Sequence, residues 1–324
     1  MDSAIGHGSW AQTVHKGMGT WMMHKAYGRR PRLALLAVKG EVTRLERLLS
    51  RFNKGSEISG INRLAGLGRI KLSRETYALL SKAQEISKLS GGAFDITVGP
   101  LIKLWDYKHS KSVPEEAAIL KALSMVGFLN LMLDENSLTA WLLKPGQMID
   151  LGGVGKGYAS DRAMDIFRSR GITSAFTNIG GNVSTLGKKP DGSMWQVGIR
   201  HPRQEDQLIG AVGVSGQSVV TSGDYERYFT DEKGIRRHHL LDPMTGYPAE
   251  TGLLSVTVVH ESAMMADALS TAIFVSGMEK GLKLLEKIPP AQAVLVDESL
   301  GVHVTKGLKD CFEPVRGIRA DIKP

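Results

Sequence analysis

The sequence predicts an α+β fold, and three observations carry that reading. Apolar residues fall at helical spacing in the first 126 residues and again near 262–287. The stretch between them holds short strand-like runs separated by Gly, Pro and Asp. Strands come in runs and helices in clusters, not in the regular alternation that builds βαβ units.

Residues 1–16 read as a poorly ordered lead-in. Leu35, Val38, Val42, Leu45, Leu49 and Phe52 then mark one face of a helix, with Pro31 suited to its first turn. A short helix is expected near Ser56–Leu64. A longer one runs from Ser73, a plausible N-cap with Glu75 in the first turn, to about Leu89, where Gly91-Gly92 ends it. Residues 115–126 read as a further helix, and Phe128–Leu133 with Leu138–Leu143 as a hairpin around Glu135-Asn136. A helix from Gly155 to Arg170 stops at Gly171. Strands are expected near 174–179, 182–187, 195–200, 208–214, 217–221, 237–241 and 253–259, helices at 262–276 and 278–287, and a strand pair at 292–304. No repeat or low-complexity linker divides the chain. Residues 17–310 therefore read as one domain and 311–324 as a C-terminal tail.

Hydrophobic residues at 42% and charged residues at 23% are ordinary for a globular protein and exclude a disordered or fibrous one. No apolar run is long enough to span a membrane. Cys311 is the single cysteine, which rules out an internal disulfide and a cysteine-cluster metal site. The formal net charge of +8 favours an anionic partner. The basic residues are scattered and form no basic arm, so nucleic acid is not the expected partner. The opening MDSAIGHGSWAQ shows no signal peptide and no lipobox cysteine. As read, it predicts a cytoplasmic protein, or an exported one if the true N-terminus differs.

Four segments carry chemistry. In IDLGGVGKGYASD (149–161) a strand ends at Asp150 and a glycine-rich turn opens a helix, a ready phosphate site to which Lys156 adds a full charge. It is neither a P-loop, since Asp150 and Gly157 stand where Gly and Ser/Thr are needed, nor a dinucleotide fingerprint, since Gly153, Gly155 and Gly157 are spaced by two. Packing alone would also explain the glycines. In MMADALSTA (264–272), Asp267 and Thr271 are four apart and share a helix face, offering hard oxygens suited to Mg²⁺ with substrate phosphates. An isolated D-x-x-x-T is more often a surface acid and a back-bonded threonine. In RRHHLLDPMTGYP (236–248), His239 is a candidate general base beside a DPMTG turn, against the plainer reading of a histidine bonded to a loop carbonyl. In SGGAFDITVGPLIKLWDY (90–107), Asp95 lies among apolar residues, an odd place for a solvated acid.

Together these segments resemble the ApbE family of flavin transferases, which move FMN from FAD onto a protein threonine. The pieces occur in family order from Met18 to about Leu285: MGT at 18–20, SRFNKGSEISGIN at 50–62, GGAFDITVGPL at 91–101, IDLGGVGKGYASD at 149–161, NIGGN at 178–182, SGDYERYF at 222–229, HLLDPMTGYP at 239–248 and ADALSTA at 266–272. The resemblance implies an ApbE-like fold of mixed sheets and packed helices, with two interleaved subdomains enclosing an FAD cleft. It implies Mg²⁺ on the Gly153 carbonyl, the Asp267 carboxylate and the Thr271 hydroxyl. FAD contacts carry over to Met18, Phe52, Ala93, Phe94, Asp95, Asp150, Lys156 and Leu241. His239 falls where the family is thought to activate the acceptor hydroxyl, with Asp267 the other catalytic residue. The sequence departs from the family at Gly153, where Thr or Ala is common, at Phe52, where Tyr is common, and at Asn182, where an acid is often found. The implied partner is an acceptor protein bearing a D-[GS]-x-[ST]-G-A-T-like motif, which this chain lacks. An FAD pyrophosphatase using the same site and a non-catalytic flavin-storage protein are the alternatives.

Overall fold

The computed structural model describes residues 9–324 and opens on a hairpin that the sequence reading did not foresee. β1 (Trp10–Gly17) and β2 (Thr20–Tyr27) pair antiparallel along their whole length. Met18 and Gly19 turn the chain at positive φ, 49° and 75°, as a tight two-residue loop requires. The expected lead-in is therefore wrong over 10–16, and its first eight residues lie outside the described residues.

α1 (Pro31–Leu49) buries Ala34, Leu35, Val38, Val42, Leu45 and Leu49 as one stripe, and Pro31 does open it. Phe52, expected at the end of that stripe, lies past the helix and is 76% exposed. α2 (Glu57–Arg63) and α3 (Arg74–Leu89) begin on serine caps: Ser56 accepts from the Ser59 N–H and Ser73 from the Thr76 N–H. Short β3 (Ile70–Lys71) lies between them and joins the hairpin of β4 (Leu131–Asp134) and β5 (Thr139–Leu142). α4 (Gly99–Trp105) and α5 (Glu116–Leu123) complete this part, α4 being unpredicted.

α6 (Gly155–Ser169) leads into β6 (Ser174–Ile179), β7 (Asn182–Leu186), β8 (Trp195–Arg200), β9 (Leu208–Val214) and β10 (Ser218–Gly223), all close to the expected runs. β11 (Tyr228–Thr230) and β12 (Arg236–His238) form a separate ribbon. The strand expected over 237–241 thus stops at His238, because the following residues leave the ribbon for the Asp242 turn. β13 (Leu253–His260), α7 (Ala263–Ser276), α8 (Met278–Glu286), β14 (Gln292–Asp297) and β15 (Val302–Thr305) agree with expectation. The predicted tail does not. β16 (Phe312–Pro314) pairs with β9, and β17 (Ala320–Lys323) runs parallel to β15.

Among the described residues the main sheet has nine strands in the order β1-β2-β6-β7-β10-β13-β14-β15-β17. α1, α6 and α7 pack on one face of it around a core that includes Val38, Val42, Ala159, Phe167, Leu269 and Phe274. The three-stranded sheet β16-β9-β8 packs on the other face through Trp195, Val197, Val212, Val219 and Val259. A third cluster of Leu101, Trp105, Ile119, Phe229 and Leu241 ties α4 and α5 to the ribbon. The fold is α+β with helices and sheets in separate layers, as predicted.

Candidate functional site

The four chemistry-bearing segments, far apart in sequence, converge on one cavity of about 1230 Å³. That is larger than the roughly 300–1,000 Å³ of common ligand pockets. Met18, Phe52, Ala93, Phe94, Asp95, Asp150, Gly153, Lys156, His239, Leu241, Asp267 and Thr271 all line it. Every site residue expected from sequence is therefore on one surface.

The glycine-rich segment divides into two functions. Gly157 is a packing residue: a Cβ there would lie 2.3 Å from the Ala263 carbonyl oxygen, so only glycine lets α6 cross α7 this closely. Gly153 and Gly155 face the cavity. A Cβ on Gly153 would sit 3.0 Å from the Phe94 ring and 3.7 Å from Thr271 Oγ1. Phe94 thus fills much of the space that a larger residue at 153 would occupy. Asp161, the last residue of the same segment, accepts from the Ser262 hydroxyl at 2.8 Å and from the Ala263 and Met264 N–H groups at 2.6 and 3.0 Å. It caps the N-terminus of α7, the helix that carries Asp267 and Thr271. Burial nevertheless pushes its carboxyl upward, against the pull of those three bonds.

Asp267 is 3% exposed. Its Oδ2 accepts from the Gly157 N–H at 2.9 Å, and its Oδ1 lies 3.1 Å from Lys156 Nζ. Lys156, in the first turn of α6, also reaches towards the Gly152 carbonyl at 3.5 Å. Thr271 Oγ1 lies 3.4 Å from the Asp267 carbonyl and 3.2 Å from Ser222 Oγ, which bonds Ser270 Oγ at 2.9 Å. Ser222 opens the SGDYER segment, whose contribution to this centre sequence reasoning had not assigned. Among the described residues no group of three or more His, Cys, Asp or Glu gathers to hold a metal. The available donors are instead one carboxylate, one hydroxyl and nearby backbone carbonyls. A hard cation that keeps several waters and substrate phosphates in its shell suits such a set.

Asp150 and Asp95 are held by protein partners. Asp150 pairs with Arg51 and accepts from the Gly152 N–H at 2.8 Å, which braces the glycine turn. Arg51 was not foreseen, since an arginine in a turn has no periodic signal; its guanidinium also stacks 4.3 Å from the centroid of the exposed Phe52 ring. Asp95 Oδ1 takes both the N–H and the hydroxyl of Thr97 at 2.7 Å, and Oδ2 takes the Phe128 N–H at 2.8 Å. Its carboxylate therefore orders the loop that presents Ala93 and Phe94. Burial raises its pKa, and these bonds oppose the rise.

His239 is half-buried on the cavity wall. Its backbone N–H and its Nδ1 both meet the Arg227 carbonyl, at 3.0 and 3.2 Å. Desolvation, with Arg227 and His238 nearby, pulls its pKa down to about 3. The neighbouring His238 faces the other way, as extended backbone demands. It bonds the Ala249 carbonyl at 3.1 Å and meets the Phe274 ring edge-on. Asn178, Gly180, Gly181 and Asn182 close the cavity on the β6–β7 turn; Asn182 is buried and its Nδ2 has no partner among the described residues.

The ApbE family model matches residues 18–296. The FAD:protein FMN transferase of Klebsiella pneumoniae (strain 342) is 36% identical over 300 residues, 92% of either chain. That of Treponema pallidum (strain Nichols) is 34% identical over 90% of this chain and 86% of its own. Among solved structures, the ApbE protein of Thermotoga maritima superposes with a TM-score of 0.86 at 34% identity, covering 94% of this chain and 99% of that one. The Pseudomonas stutzeri flavinyl transferase ApbE gives 0.83 at 30% identity, covering 96% and 99%.

Proposed function

The chain belongs to the ApbE family, and from that premise we propose that it transfers FMN from FAD to a threonine hydroxyl of an acceptor protein, with AMP as leaving group and Mg²⁺ as cofactor. The observation that carries this reading is the meeting of Asp267, Thr271, Lys156 and His239 in one cavity with the residues assigned to FAD.

The obstacles to the reaction are electrostatic. The acceptor oxygen must approach a phosphorus flanked by negative oxygens, and the leaving AMP takes charge with it. Positioning and charge neutralisation supply most phosphoryl-transfer catalysis. The Gly153 carbonyl, Asp267 and Thr271 would hold the metal, which when bound supplies positive charge at the pyrophosphate. Lys156 brings a second cation from the first turn of α6, where the helix N-terminus adds to it. The Asp150–Arg51 pair fixes the turn that presents Lys156. Phe52 and Phe94 offer rings to the flavin or adenine. His239, held neutral by desolvation and bonded through Nδ1 to Arg227, has Nε2 left to receive the acceptor proton.

Incubation with FAD, Mg²⁺ and a threonine-motif acceptor, with and without a chelator, tests this. Covalent flavin on the acceptor that the chelator abolishes supports it. Free FMN and AMP formed without an acceptor would indicate a pyrophosphatase, and intact bound FAD a storage protein.

A further inference from the structure

We propose that the outward face of the β1–β2 hairpin seats the protein on an anionic lipid surface. From Ser3 to Gly40 the sequence has no Asp or Glu, yet it carries Lys16, Lys25, Arg29, Arg30, Arg32 and Lys39. The stretch therefore carries six positive charges with no acid beside them in sequence, and Lys16 and Lys25 among them stand on the hairpin's outward face.

The hairpin register places the relevant side chains on one face. Trp10 stands opposite Tyr27, Val14 opposite Met23, and Lys16 opposite Trp21. Trp10 is 58% exposed, Val14 55% and Trp21 61%. The middle of this face of the main sheet is covered. The small β16-β9-β8 sheet packs on its middle strands and reaches Tyr27, whose ring lies 6.2 Å from that of Trp195. Among the described residues the cover ends there, so β1 and the outer part of β2 present an aromatic strip to the outside.

The lysines lie against this strip. Lys25 Nζ is 4.5 Å from the Trp10 ring centroid and Lys16 Nζ 4.8 Å from that of Trp21. Among the described residues neither amine has a carboxylate partner. Tryptophan rings between water and hydrocarbon, with ammonium groups beside them to meet lipid phosphates, are the chemistry of a membrane interface. The ammonium groups set beside exposed tryptophan rings favour a lipid surface over a protein partner. The Met18-Gly19 turn of the same hairpin lines the cavity, so such seating would place the cavity mouth near the bilayer.

The test is co-sedimentation of the full chain with vesicles of phosphatidylcholine alone or mixed with phosphatidylglycerol. We expect binding to the mixed vesicles only, weakening as salt rises, with a blue shift of tryptophan emission. A lysine near an anionic surface is worth about fivefold in binding, so Lys16→Glu/Lys25→Glu should lower it by more than twentyfold on that constant. Trp10→Ser/Trp21→Ser should lower it too and remove the blue shift. These positions are exposed, and unchanged circular dichroism and melting would verify the fold. Wild type left in the supernatant with mixed vesicles overturns the proposal, as does undiminished binding by both variants. Hairpin-dependent self-association or capture of an acidic protein, without vesicle binding, overturns it equally.

Discussion

Asp267 holds two contacts on one carboxylate, the Gly157 N–H and the Lys156 ammonium, and its backbone carbonyl lies 3.4 Å from Thr271 Oγ1. Asp267→Asn keeps a side chain able to accept from Gly157 but lowers the charge available to a cation. We expect at least a hundredfold loss of transfer with melting little changed, measured by flavin fluorescence on the acceptor; a folded variant with full activity would remove Asp267 from the metal site. His239→Asn should slow single-turnover transfer by about 10²–10⁴-fold, the range of general-base catalysis, while FAD binding is retained. Desolvation lowers the His239 pKa below the ordinary imidazole value. Any His239 limb in the wild-type rate profile should therefore fall below pH 6.5, and equal rates for variant and wild type would make the residue structural. His238, on the opposite side of the chain, is buried against Phe274, so His238→Asn should lower stability while activity per folded molecule changes little. Helical spacing gives Asp267 and Thr271 a shared face, but only the family resemblance singled the pair out, since an isolated D-x-x-x-T is more often a surface acid and a back-bonded threonine. Arg51 and Asp161 were not legible, because their partners, Asp150 and the α7 N-terminus, are distant in sequence.

The crossing of α6 over α7 holds the site together at the scale of elements. Gly157→Ala would drive a Cβ to 2.3 Å from the Ala263 carbonyl oxygen, with backbone and not a flexible side chain in the way. We expect a loss of about 1–3 kcal/mol, as for other overpacked interiors, together with a fall in transfer as Asp267 moves. Denaturant titration beside an activity assay checks both, and an unchanged midpoint would show that the two helices can separate freely. Most elements were readable where one face is apolar and the other polar, as in α1 and α3. β1 was not, because its inward residues include Thr13 and His15 while its outward ones include Trp10 and Val14, which blurs the alternation. β16 and β17 are too short to show a period at all.

At the scale of the molecule, the main sheet buries a histidine that has no compensation. His24 is fully buried beside His15, and neither of its ring nitrogens has a partner among the described residues. Burial first, and His15 second, lower its pKa from 6.5 to about 4. Between those values the unfolded chain binds the proton more readily, so stability falls as pH drops from 6.5 towards 4. This residue should cost about 2 kcal/mol between pH 7 and pH 5 by linkage. His24→Leu should remove that share of the pH dependence of melting and leave the share due to His239 and His238 in place, and an equally steep profile would show that His24 contributes nothing to the acid sensitivity. The order of the nine strands, by contrast, could not be read from local patterns, since it depends on which distant segments pair.

FMN leaving FAD for a protein hydroxyl is the central step, and the fate of the phosphorus tests it most directly. FAD labelled at the riboflavin-side phosphate would be followed in a single turnover with Mg²⁺ and a threonine-motif acceptor. Label should appear covalently on the acceptor, with an equal amount of unlabelled AMP. Label appearing as free FMN, at a rate indifferent to the acceptor, would contradict that transfer.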